Sequence, residues 1–163
     1  MKIHKSLSFI SLLFFFQYYA YAELLNGKVV GVSDGDTITV LDSAKSQHKI
    51  RLTGIDAPEK AQAFGQASKR SLSDLVFSKD VEISWEKRDR YQRILGKVLL
   101  NGQDICLEQV KRGMAWHYKQ YQRDQSPEDR ITYARAEEDA RKSRIGLWQD
   151  TAPLEPSKYR HKK

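Results

Sequence analysis

The sequence predicts an α+β domain, a five-stranded OB-fold barrel carrying about three helices. Three observations predict it. Short runs of alternating apolar and polar residues recur between Leu24 and Leu100. A helical run interrupts them after the third strand. Beyond Asp104 the composition turns to helix formers and cap residues.

Each element has a local reason. Val29, Val30 and Val32 build the first strand, and Ser33-Asp34-Gly35-Asp36 ends it, because Asp-Gly favours a tight hairpin turn. Thr37–Leu41 alternates hydroxyl and aliphatic side chains, as a half-buried strand does. Asp42 to Gln47 is a polar turn. His48–Thr53 then places Ile50 and Leu52 on one face and Lys49 and Arg51 on the other. Pro58 cannot donate to a ladder, so the strand stops before it. Residues 61–77 read as a helix with Phe64, Leu72, Leu75 and Val76 near one face. Val81, Ile83 and Trp85 mark the fourth strand, and Ile94–Leu100 the fifth, closed by Asn101-Gly102. Asp104–Arg112 is a short helix stopped by Gly113. Ser126-Pro127 is an N-cap with proline in the first turn, opening a helix to Arg144 that Gly146 ends.

The 163 residues suffice for one domain with a substantial core. Hydrophobic residues at 40% and charged residues at 30% describe a soluble globular chain and exclude collagen-like or low-complexity classes. The 28 Lys and Arg outnumber the 21 Asp and Glu, and the net charge of +7 points to an anionic partner. Cys106 is the single cysteine, so neither an internal disulfide nor a cysteine-rich zinc site is available. Burial as a small hydrophobe is its expected role, and Trp85 and Trp148 are expected in the core.

Residues 1–22 read as a signal peptide: Lys2 and Lys5, an apolar stretch over Ser6–Phe16, and Ala20-Tyr21-Ala22 as the cleavage site. The apolar stretch falls short of the ~20 residues that span a bilayer. The expected product is secreted or periplasmic, without stable membrane association, and monomeric. Its domain covers 23–150, and 151–163 reads as a flexible basic tail.

Three segments carry the chemistry: Asp34-Gly35-Asp36-Thr37, Arg51 to Glu59 and Asp89-Arg90-Tyr91-Gln92-Arg93. Alone, the first is an ordinary turn and the third a solvated hairpin tip. The second places an arginine, two carboxylates and a proline where a strand should end in polar filler. A hairpin between Thr37–Leu41 and Lys49–Thr53, turning near Lys45, sets Asp36 opposite roughly Gly54, with Asp56 just beyond. Two carboxylates at one end of a strand pair suit a hard divalent cation, with positions left for a carbonyl, water and a phosphate oxygen. Strand parity does not place Arg51 beside them without a bend at Gly54.

With these segments in this order, the chain resembles the staphylococcal nuclease family from about Leu25 to Trp148, including the late Gly-x-Ala-Trp and Gly-Leu-Trp stretches. The resemblance implies an OB-fold barrel with three helices and calcium-dependent cleavage of DNA and RNA. It implies that Asp36 and Asp56 are calcium ligands, with the Ala57 carbonyl as a third. Glu59 resembles the residue that activates or orients the attacking water. Arg51 and Arg93 resemble the pair that neutralises the phosphate. Tyr91, and a tyrosine near Tyr118 or Tyr121, resemble nucleotide-contacting residues. Ala57 stands where the best-known secreted member has Thr, and Gln92 where Gly is common. The lysine-bearing loop after Glu59 is shorter. Two readings of another class compete with the enzyme: a non-catalytic OB-fold module that only binds nucleic acid, and a secreted basic structural or adhesion protein. The set Asp36, Arg51, Asp56, Glu59 and Arg93 separates the first, since a pure binder has no need of it.

Overall fold

A computed structural model describes residues 22–161, so the leader expected over 1–22 lies outside the described residues except for Ala22. Strand β1 (Glu23–Asp34) serves two partners. Its first half pairs antiparallel with β5 (Asp80–Arg88) and its second half with β2 (Thr37–Leu41). Irregularities between Val29 and Gly31 and between Val32 and Asp34 bend it from one partner to the other.

β2 pairs antiparallel with β3 (Gln47–Leu52), and Thr37 faces Arg51. Asp36 therefore opposes Leu52, whose N–H donates to the Asp36 carbonyl at 2.8 Å, rather than Gly54 as the sequence led one to expect. The turn accounts for the shift. Asp42 N–H donates to the Ser46 carbonyl at 3.0 Å, the Asp42 carboxylate accepts from Ser46 N–H at 2.8 Å, and Lys45 takes φ 65°. The even slip leaves every side chain on its expected face.

Strand β4 (Ile55–Asp56) follows, then helix α1 (Gly65–Val76). The helix begins later than the expected residue 61. A turn held by Gln62 N–H to the Glu59 carbonyl, 2.8 Å, and Phe64 at φ 64° occupy that stretch. β6 (Ile94–Leu100) pairs antiparallel with β5 and parallel with β3, with Ile50 beside Ile94. That parallel contact closes β1, β2, β3, β5 and β6 into a five-stranded barrel, the expected OB-like plan. β7 (Gln103–Asp104) adds a short edge, and β8 (Trp116–His117) pairs with β4.

Three substantial helices match expectation. Besides α1 they are α2 (Ile105–Lys111) and α3 (Pro127–Lys142). The Asp104 carboxylate accepts from Leu107 N–H at 3.1 Å, and Ser126 Oγ from Asp129 N–H at 3.0 Å, each filling an orphan donor of a first turn. Val29, Ile38, Val40, Ile50, Ile83 and Val98 fill the barrel, and Leu72, Val76, Ile105, Val110 and Tyr133 join the same core from the helices. Trp116, Ala140, Leu147 and Trp148 form a second cluster with Phe64 against it. Cys106 is buried, and burial pushes its thiol pKa up, so it is inert packing. Among the described residues no helix is long and apolar enough to cross a membrane.

The segment read as a flexible basic tail departs from that reading. Pro156–His161 forms a short helix, α4, with Pro156 buried. Gln62 Nε2 donates to the Leu154 carbonyl at 2.6 Å, tying the segment to the turn before α1. Pro156, in the first helical position, was the available start signal.

Candidate active site

The β1–β2 turn and the β3–β4 turn meet at one end of the barrel. Gly35 is necessary there: a Cβ on it would lie 1.8 Å from Ser68 Oγ and 2.7 Å from the Ala57 Cβ. The close approach seats the turn on α1, and Gln109 Nε2 holds the Gly35 carbonyl at 2.9 Å. Asp36 is thereby delivered inward, buried, with a fixed carboxylate. Its Oδ1 accepts from Thr37 Oγ1 at 3.1 Å and its Oδ2 from Ala57 N–H at 2.8 Å. Gly54, at φ 75°, makes the second bend, where only glycine is at ease and where a Cβ would strike Gln125. Asp56 follows in β4, held opposite Trp116 of β8 and almost wholly buried.

Arg51 joins the two acids. Its Nη1 lies 3.0 Å from Asp36 Oδ2 and its Nη2 3.0 Å from Asp56 Oδ1. Nη1 also donates to the Leu52 and Ile55 carbonyls at 3.1 and 3.0 Å. The bend at Gly54 brings Asp56 back to a side chain that strand parity alone set apart. Burial pushes the Asp36 carboxyl up to about 7; Arg51 opposes this, while Asp34 and Asp56 add to it.

Glu59 lies on the same edge, its N–H donating to Gln62 Oε1 at 3.1 Å. Its carboxylate meets Arg160 of α4, whose Nη1 is 2.9 Å from Glu59 Oε1 and 3.1 Å from Asp56 Oδ1, while Nη2 is 3.0 Å from Asp56 Oδ2. Sequence reasoning missed Arg160. A separation of more than a hundred residues from Asp56 left it indistinguishable from the other tail cations.

Arg93 stands apart. Its Nε and Nη2 both bind Asp89 Oδ2 at 2.7 Å, and no hydrogen bond or ion pair joins it to Asp36, Asp56 or Glu59. Register still relates it to Arg51. Arg51 faces Leu95 across the β3–β6 pairing, and Arg93 directly precedes β6, two residues before Leu95. Asp89 organises this hairpin: its Oδ1 accepts from Tyr91 N–H at 2.9 Å and Arg93 N–H at 3.0 Å. Burial works against the Asp89 carboxylate, but these bonds outweigh it and hold its pKa below the usual range. Asp89 is a positioning residue within a segment the sequence singled out. Gln92 has φ 62°, which explains the preference for Gly at that position.

The tyrosines line the rim. Tyr91 is 64% exposed, with the Arg90 and Arg93 guanidinium carbons 4.8 and 5.6 Å from its ring centre. Tyr118 N–H donates to the Gly54 carbonyl at 2.9 Å, which keeps it beside the Asp56 bend. Its ring lies 4.9 Å from that of the exposed Tyr121. Burial raises the Tyr118 pKa, with the nearby Asp56 charge adding to it. His117 is buried, with Nε2 2.9 Å from Gln125 Oε1, and packs against Tyr133.

Residues 49–150 match the family described as staphylococcal nuclease homologue. The chain is 51% identical over 133 residues to a Haemophilus influenzae protein named uncharacterized endonuclease, covering 82% of this chain and 71% of that protein. An Escherichia coli protein of the same name is 40% identical over 152 residues, covering 93% and 95%. The micrococcal nuclease of Shigella flexneri is 41% identical over 143 residues, covering 82% and 79%. A family match over most of the chain, reinforced by relatives at this identity along most of their own length, places this chain in the staphylococcal nuclease family.

Proposed function

We propose that the chain is an exported, calcium-dependent nuclease that hydrolyses phosphodiester bonds in DNA or RNA. Nuclease activity on nucleic acid follows from the family and from relatives named as nucleases. The observation that carries the finer reading is the convergence of two buried carboxylates, Asp36 and Asp56, on the Arg51 guanidinium, with Glu59 on the same edge.

The donors suit calcium. Asp36 and Asp56 are two buried, hard carboxylate donors at one end of the barrel. Among the described residues no group of three acidic, His or Cys side chains gathers for a metal. Asp36, Asp56 and the Ala57 carbonyl would hold the ion, with water and substrate completing its shell. When bound, calcium supplies Lewis-acid polarisation of a phosphate oxygen.

The remaining work belongs to side chains. Arg51, held by two carboxylates and two carbonyls, keeps its positive charge fixed between the acids, where phosphate charge would be neutralised. Arg93, steered by Asp89, supplies the second cation. Glu59 accepts a proton from the attacking water, or holds that water in line. Tyr91, Tyr118 and Tyr121 offer ring faces to the nucleotides.

The test is incubation of the protein with single- and double-stranded DNA and RNA, in calcium and in chelator. Cleavage is expected only with calcium, with an apparent affinity on the order of 10⁻⁴–10⁻³ M, typical of extracellular sites. Full cleavage in excess chelator would overturn the metal assignment. Binding without cleavage under every condition would favour a binding module. Export is tested separately: N-terminal sequencing of the exported product should begin at Glu23, and a product retaining Phe14–Phe16 would refute cleavage after Ala22.

A further inference from the structure

We infer that α4 is an intrachain latch on the metal site, in which the Arg160 guanidinium occupies the cation position at Asp56 and Glu59 until calcium displaces it. The inference rests on the proposal that Asp56 is a calcium ligand.

Both oxygens of the Asp56 carboxylate are engaged. Oδ1 accepts from Arg51 Nη2 at 3.0 Å and Arg160 Nη1 at 3.1 Å, and Oδ2 accepts from Arg160 Nη2 at 3.0 Å. Calcium needs carboxylate oxygens at about 2.3–2.6 Å. A guanidinium forked across both oxygens lies where that ion would sit, and the two positive charges repel at such separations. One must leave before the other binds.

The latch is built to open. Asp56 is almost wholly buried, but the Arg160 side chain is 39% exposed and its other partner, Glu59, is equally accessible. A six-residue helix has little stability alone, so α4 depends on its anchors. Two of these lie at its base, buried Pro156 and the Gln62–Leu154 bond, and a third is Tyr159, which lines a cleft of about 160 Å³ with Pro58, Phe64, Trp116 and Leu147. The tip is secured through Arg160, so the helix can remain tethered while its guanidinium moves away. Tethering makes the competition intramolecular, equivalent to millimolar free guanidinium.

A competing latch lowers apparent calcium affinity by the fraction of molecules that are open. Calcium should therefore bind full-length Arg160→Ala about 3–10-fold more tightly than wild type by titration calorimetry, with Arg160→Lys intermediate because it loses the fork. Hydrogen exchange supplies a second measurement on the unaltered protein: amides of residues 157–161 should exchange faster once calcium saturates the site. Equal or weaker calcium affinity in folded Arg160→Ala, or α4 exchange indifferent to calcium, would overturn the latch while leaving the calcium site intact. Calcium binding to neither protein would overturn both.

Discussion

Arg51→Ala should lower turnover by about 10²–10³-fold, the scale for removing one preorganised charged donor from a reacting centre. The same substitution should also destabilise the fold. Arg51 is the shared partner of Asp36 and Asp56, so its removal leaves Asp36 without its guanidinium in a buried pocket. Breaking a buried pair on one side costs about 3–5 kcal/mol. Arg93→Ala separates the two effects. Its side chain is 27% exposed and its ion pair is with the neighbouring Asp89, so its rate loss should be comparable while its stability changes little. Lys142→Ala, which breaks an exposed pair with Glu138, should leave turnover near wild type and serves as the surface control. Single-turnover rates and thermal melts on the same preparations check these outcomes. Equal rate losses for Arg93 and Lys142 would show that net charge, rather than placed arginines, drives activity.

Glu59→Gln should retain the fold and nucleic-acid binding while cleavage falls by 10²-fold or more, on the order expected for loss of a general base. The amide keeps the shape and the Arg160 contact but cannot take a proton. The Glu59 backbone is held by Gln62 independently of its carboxylate, which protects the local turn. Turnover and substrate affinity must be measured separately, with circular dichroism as the folding control. Wild-type cleavage by folded Glu59→Gln would remove Glu59 from the chemistry. Slow cleavage caused solely by lost binding would reassign it as a substrate-holding residue.

The fold was legible because its determinants are local. Alternation in Thr37–Leu41 and Ile94–Leu100, the Asp-Gly turn after β1, and the Ser126-Pro127 start of α3 each act within a few residues. The site was partly legible for a similar reason. The acids and arginines that the sequence singled out lie in three compact segments whose order and spacing are distinctive, although the first and third are ordinary alone.

What escaped the sequence depends on contacts between distant segments. The β2–β3 register followed a turn closed on Asp42, one of several that the polar run 42–47 permits. Arg51 reached Asp36 across the β2–β3 pairing, but it met Asp56 only through a positive-φ bend at Gly54, which strand parity alone does not supply. Arg160 met Asp56 across the whole chain, and a basic tail carries no mark of which cation finds a buried acid. Periodicity and turn chemistry report what a residue does to its neighbours in sequence. Pairing between a charge and a partner a hundred residues away is set by three-dimensional proximity, and that exists only once the barrel has closed.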